Sequence, residues 1–457
     1  MQNSGKYVVG IDIGTSKAAV VATDKNSGAL LDSVSVKTNA DIPCPSGCSE
    51  QNSCVIFEAV FRAVKSLDSK LRRDVSALGI TGQMHGVILW NEKEISPLYT
   101  WKDKRTSRNG FIDRIRKTDG CAGLREGYGA ATMAYFAAMD EIEKWRFAAT
   151  ICDYFVFKMC NLRKPVTDCS NAVGWGLFDV KRKQWDFSAI KKLGIPAGLF
   201  PDVSRAGAPA GRLCAKYAKI MGLPAGIPVY LPIGDNQASL IGTSDNWKDE
   251  IYLTIGTGAQ LSVIIPEKEI NVRRWPETVE IRPFLGKKYL AVAAPLCGGQ
   301  AFEWLIDSIQ SWLKEIGIKS PAKGKFYKTL DVSGLSKTAD SLVIKPHFLG
   351  ERYDFSLRGE IIGIDMNNFS IGNISAALAG GVIANIQRMM PAELYRNKKI
   401  VVCSGNAIRR LKILQEAVKE KFDLPLRMSA KSGEAALGAA RVTMESTTKP
   451  RWTCPFA

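Results

Sequence analysis

The chain has 457 residues, 46% hydrophobic and 23% charged, and its 62 lysines and arginines against 45 aspartates and glutamates give a formal net charge of +17. That length exceeds what one compact core holds and suits two large domains; no apolar run reaches the roughly 20 residues that span a bilayer. The basic residues are scattered, with no Arg-rich or aromatic-interleaved block, which argues against a nucleic-acid groove.

The first strand is expected from about residue 7, leaving no room ahead of it for a signal or transit peptide. With no such leader, eleven cysteines point to reduced thiols and a cytoplasmic protein. V-V-G-I-D-I-G-T (8–15) is an apolar, β-branched run ending in a Gly-Thr turn, and a second apolar run (18–22) follows. This reads as strand, tight turn, strand, a hairpin whose turn can cradle phosphate oxygens. A third strand is expected over 30–38 and a helix over 52–71, with Ile56, Val60, Val64, Leu67 and Leu71 on one face. The strand 75–81 runs into G-Q-M-H-G (82–86). Later strands, 207–212 and 228–233, lead to G-D-N-Q (234–237). The tetrapeptide alone leaves Asp235 open as a turn former beside Asn236 or as a proton acceptor.

I-Y-L-T-I-G-T-G (251–258), followed by the apolar run 259–265, repeats the hairpin. Two such turns at equivalent points of two halves suggest related domains sharing one nucleotide. The polar stretch 243–250 is the expected boundary. Helices follow over 302–316, over 371–390 (mostly apolar, expected between the domains), over 407–421 after the strand 399–403, and over 433–444. The Pro-containing segment 450–457 reads as part of a tail. Cys44, Cys48 and Cys54 fit no common zinc spacing, and His347 reads as structural.

In order and spacing, D-I-G-T, G-Q-M-H-G, W-K-D-K-R (101–105), T-D-C-S-N-A (167–172), G-D-N-Q, T-I-G-T-G, G-G-Q-A-F-E-W (298–304), L-G-E-R (349–352) and G-E-A-A-L-G-A-A (433–440) resemble the FGGY carbohydrate kinases. That family belongs to the sugar kinase, actin and heat-shock chaperone ATPase superfamily. The resemblance implies an α/β fold of two actin/ribonuclease H-like ATPase domains with an interdomain active-site cleft. The N-terminal domain (1–245) would hold the sugar, the first phosphate loop and the catalytic Asp. The C-terminal domain (246–445) would hold the nucleotide, and 446–457 would form the tail. Within the family, 80–90, 100–105, 127–132, 152–160, 170–176 and 348–352 are similar to the kinases of the seven-carbon ketose sedoheptulose, with xylulose or ribulose as alternative substrates.

Carried over residue by residue, the resemblance implies Asp235 as the general base and Asp12 as the Mg²⁺ residue. It implies sugar contacts from Gln83, Met84, His85, Trp101, Asp103, Arg105 and Asn236. ATP would meet Gly14, Thr15, Lys17, Gly256, Thr257, Gly299 and Gly405. Two departures stand out. Ala19 occupies the place of a usual basic residue, with Lys17 two positions earlier, and C-S-G-N (403–406) replaces a richer glycine motif at the adenine. They keep open a catalytically silent kinase-like sensor; a nucleotide-dependent chaperone-like binding protein on the same fold is a separate alternative, against which stand the sugar motifs between the two phosphate loops.

Overall fold

The structure, a computed structural model, describes residues 5–244, 246–272, 274–336, 342–354, 356–429 and 433–445; the expected tail lies outside them. Among these, the chain forms two compact units. One holds residues up to 243 with 283–286 and 433–445, and the other holds 244–282 and 287–429.

The first unit is built on a seven-stranded sheet. Its central run is β3 (Leu30–Lys37), β2 (Lys17–Asp24), β1 (Tyr7–Ile13), β4 (Val75–Gly82) and β5 (Pro228–Tyr230). The pairings along that run are antiparallel, antiparallel, parallel and parallel. In the second unit, β8 (Lys288–Ala293), β7 (Ala259–Pro266), β6 (Glu250–Ile255), β9 (Ile400–Ser404) and β10 (Leu426–Met428) repeat that order and those senses. The repeat seen in the two Gly-Thr hairpins is therefore a repeat of whole sheets.

Alternation along β1 and β2 explains the layering, since successive side chains point to opposite faces. Val9, Ile11, Ile13 and Val20 enter a core with Ile56 and Val60 of the helix Ser53–Ser66. Val8 and Val21 enter another with Ala436 and Ala440. The latter two belong to the helix Glu434–Glu445. This helix was expected with the C-terminal domain, but it packs in the first unit. Its approach is so close that a Cβ on Gly10 would lie 1.9 Å from the Ala436 carbonyl oxygen, and one on Gly79 1.9 Å from that of Ala439. The helix Asp235–Thr243 docks beside it, where a Cβ on Gly438 would lie 1.8 Å from the Ala238 oxygen. The run G-E-A-A-L-G-A-A is the small-residue face that permits this contact.

Other expectations are adjusted. The helix expected over 52–71 ends at Leu67, which is extended at ψ 153°, and Asp68 caps a new short helix Ser69–Arg73 through the Lys70 N–H. The helix expected over 407–421 is broken at Leu411 into Asn406–Arg410 and Lys412–Phe422. The helix Ile371–Met389 lies within the second unit, against Lys323–Leu335 and Lys412–Phe422. No helix among the described residues is long and apolar enough to cross a membrane.

Candidate active site

In the first unit, the short strand Ile233–Gly234 pairs with the end of β4, and the chain turns at Asp235 into a helix. Two hydroxyls fix that junction. Thr81 donates to the Ile233 carbonyl at 2.7 Å, and the Gly234 N–H donates to Ser170 Oγ at 2.9 Å. Ser170 in turn donates to Asp168 at 2.8 Å. The T-D-C-S-N-A segment thus holds the backbone that presents Asp235. The Asp235 side chain is exposed and accepts the Asn236 N–H at 2.6 Å. Beside it, the Asn236 side-chain Nδ2 is buried without a hydrogen-bond partner.

Asp12 stands near the end of β1. Burial pushes its carboxyl up to about 7, the Asp235 carboxylate adds to that rise, and the Lys17 ammonium pulls against both. Strand register explains the role of Lys17. Asp12 pairs with Ala19 across the hairpin, so both side chains lie on one face. Lys17, two residues from Ala19 on β2, lies on that face too. The small Ala19 leaves the neighbourhood of Asp12 to the exposed Lys17.

Thr15, expected at a phosphate, has its side chain in a hydrogen-bond network. Its hydroxyl accepts the Trp101 indole N–H at 2.9 Å and donates to Gln83 Oε1 at 3.2 Å. A hydroxyl has one proton to give. Here it points at Gln83 Oε1.

The expected sugar residues divide in two. Gln83 is buried, and its amide is engaged at both ends, accepting from Thr15 and donating to Gln51. Met84 is buried against Gly174. Asp103 and Arg105 are buried and face each other, with guanidinium-to-carboxylate distances of 2.8 and 2.9 Å. Asp103 also accepts the Ser49 N–H, and Arg105 reaches Glu50 at 2.6 Å. Both were expected to line the sugar; the structure uses them to lock their own loop. His85, Trp101 and Asn236 remain accessible or partly so.

His85 donates from Nδ1 to the Gly174 carbonyl at 2.8 Å. That tautomer leaves Nε2 an acceptor in the neutral ring. The ring stacks on Tyr128, centroids 4.7 Å apart and planes 2° from parallel. Tyr128 was not singled out in the sequence, although its segment G-Y-G-A-A-T was. Gly127 sets its position: at φ +72°, a Cβ there would meet the Trp101 carbonyl oxygen at 2.0 Å.

In the second unit the four expected nucleotide residues come together. The N–H groups of Gly298 and Gln300 donate to the Thr257 carbonyl, and that of Gly299 donates to Gly256. A Cβ on Gly299 would lie 2.4 Å from both Ala407 Cβ and the Gly256 oxygen. At Gly405, with φ +99°, one would lie 2.4 Å from the Ile255 oxygen. Three glycine turns therefore meet where the helix Gln300–Glu315 begins.

A model of the N-terminal domain of the FGGY family of carbohydrate kinases matches residues 7–242. The chain is 27% identical to the sedoheptulokinase of Mus musculus, over 97% of this chain and 98% of that protein. It is 28% identical to the sedoheptulokinase of Homo sapiens, over 95% and 97%. Among solved structures, the xylulose kinase from Rhodospirillum rubrum shares the fold with a TM-score of 0.82 at 18% identity, over 97% of this chain and 90% of that one. With the family model running over more than half of its length, and with the sheet repeat and the two glycine hairpins in place, the protein belongs to the FGGY family of carbohydrate kinases.

Proposed function

We infer that the protein phosphorylates sedoheptulose at the expense of ATP, giving sedoheptulose 7-phosphate and ADP, with Asp235 as the general base. The observation that carries this reading is the carboxylate of Asp235, exposed on a backbone clamped by Thr81 and Ser170 and electrostatically coupled to Asp12. Similarity to sedoheptulokinases over nearly the whole chain supports the choice of sugar.

The chemistry follows from the groups present. The sugar hydroxyl gives its proton to Asp235 as its oxygen bonds to the γ-phosphorus, and the bond to the β,γ-bridging oxygen breaks to release ADP. His85 Nε2, the face of Trp101 and the Asn236 amide supply an acceptor, an aromatic wall and a donor for a polyol. Gly14 and Lys17 would meet the terminal phosphates; Gly256, Thr257, Gly299 and Gly405 would hold the rest of the nucleotide.

Mg²⁺ fits Asp12. A carboxyl whose proton affinity is raised by burial and by a neighbouring carboxylate suits a divalent cation, and Mg²⁺ is usually held by one or two carboxylates, waters and phosphates. No group of three or more His, Cys, Asp or Glu side chains is gathered among the described residues, and this mode needs none. When bound, the ion neutralises charge on the phosphates.

The test is kcat/KM for sedoheptulose, xylulose, ribulose and glycerol under one Mg²⁺-ATP concentration. A seven-carbon ketose offers additional hydroxyls, and a buried polar group left unpaired costs roughly 1–3 kcal/mol. Two such contacts predict about 10- to 10⁴-fold preference over a five-carbon ketose. A five-carbon ketose that matches sedoheptulose sinks the substrate assignment.

Lys17→Ala should lower kcat/KM for ATP by about 10- to 100-fold, the worth of a charge-assisted hydrogen bond. Ala19→Arg in the same chain should restore part of it, because both positions share one face with Asp12. Unchanged ATP kinetics in Lys17→Ala would remove Lys17 from the site.

A further inference from the structure

A directed run of hydrogen bonds connects the exposed wall of the first unit to the phosphate hairpin. The Trp101 indole N–H donates to Thr15 Oγ1 at 2.9 Å, and Thr15 donates to Gln83 Oε1 at 3.2 Å. Gln83 Nε2 donates to Gln51 Oε1 at 3.2 Å. Gln51 Nε2 returns to the Thr15 carbonyl at 2.9 Å and also reaches Asp41 at 2.9 Å. Thr38 Oγ1 gives the same carbonyl a second donor at 2.9 Å.

The run closes a ring through Thr15. Every donor in it has its acceptor, and its branch to Asp41 ends on a carboxylate. Gln51 and Gln83 are 1% and 5% exposed, so their parts of the ring are fixed by packing. Trp101 differs. At 47% exposure, its ring is open to solvent, as is Asp41 at the end of the branch. The geometry of the turn 13–17 therefore hangs on a rigid buried frame and on one bond from a side chain that is free to be restrained from outside.

We propose that Trp101 is a positioning residue for the phosphate hairpin, and that a sugar resting on its ring couples sugar occupancy to nucleotide binding through the Trp101–Thr15 hydrogen bond. This rests on the sugar-kinase reading above. A sugar against the ring removes its rotational freedom; the indole N–H is then held on Thr15, and the hairpin is ordered before the nucleotide arrives. The ordering cost met by the second ligand falls, which is positive cooperativity between the two. The bond also sets the direction of the Thr15 proton. With a lone pair taken by Trp101, the Thr15 proton stays aimed at Gln83 Oε1, and the hydroxyl serves as a joint within the loop.

The experiment is calorimetric binding of a non-hydrolysable ATP analogue with and without sedoheptulose. Wild type should bind the analogue about 2- to 10-fold more tightly with the sugar, the span set by one hydrogen bond. Trp101→Phe keeps an aromatic wall and deletes the N–H; Thr15→Val deletes the hydroxyl from the other side. Each should bring the ratio close to one, and the double variant should lower it no further. Thr15→Ser, which keeps the hydroxyl, should retain the coupling.

A merely structural role would weaken both ligands and leave the ratio alone. Coupling of wild-type size in Thr15→Val overturns the proposal, even should Trp101→Phe fail to fold. Wild type that turns over sedoheptulose with no change in analogue affinity also overturns it and leaves the kinase reading standing. Wild type that neither binds nor phosphorylates any sugar of the panel overturns the kinase reading, and the proposal with it.

Discussion

Asp235→Asn should lower kcat on sedoheptulose by about 10²- to 10⁴-fold, the usual cost of removing a positioned general base, and leave the fold and sugar affinity in place. The substitution keeps the shape of the side chain and an oxygen to accept the Asn236 N–H. The clamps on this junction, from Thr81 and Ser170, act on the backbone of Ile233 and Gly234 and are indifferent to the side chain at 235. The loss should therefore fall on kcat, since a base acts on the transition state and not on the bound sugar. The charge change has a second consequence. Asp235 raises the proton affinity of Asp12; without it, Asp12 should ionise more readily. Steady-state kinetics beside calorimetric sugar binding reads both effects. A variant keeping more than about a tenth of wild-type kcat, or one losing sugar affinity in step with kcat, would remove Asp235 from the role of base.

Gly438→Val should damage the first unit more than any truncation on its surface. A Cβ at 438 would stand 1.8 Å from the carbonyl oxygen of Ala238 and 2.6 Å from its carbon. Backbone cannot rotate aside as a flexible side chain can, so the helices Glu434–Glu445 and Asp235–Thr243 must separate. Helix separation also loosens the contacts at Gly10, Gly79 and Gly242, each of which admits no Cβ. Overpacking of this kind costs about 1–3 kcal/mol or more, which lowers a melting temperature by roughly 2–12 °C in a unit of this size. Because Asp235 opens one of the two helices, activity should fall more than stability alone accounts for. Thermal unfolding followed beside kcat decides the matter. A melting temperature within a degree of wild type would show that the helices can part without cost.

Much of the fold was legible in the sequence because the signals are local. Alternating apolar residues with a Gly-Thr turn specify a hairpin wherever they occur, and their recurrence at 251–258 announced the second sheet. The strand end before Asp235 could likewise be read from the run 228–233 and the helix signal after it. Local strings say nothing of partners far along the chain, and the differences arose there. Asp103 and Arg105 look like a solvent-facing charged loop or a sugar wall. Burial of both follows from Glu50, 55 residues from Arg105, and from Ser49, whose N–H reaches Asp103. Nothing in the string D-I-G-T announces that the Thr15 hydroxyl accepts from Trp101, 86 residues on, and donates to Gln83, 68 residues on. The last helix seemed to belong with the strands that precede it. Its glycine and alanine face fits the bare backbone at Gly10 and Gly79 more closely than any side chain would allow, and that fit returns it to the first sheet. Periodicity and turn chemistry, acting over a few residues, determined the elements; hydrogen bonding and close packing between distant segments decided which polar groups are already paired within the chain.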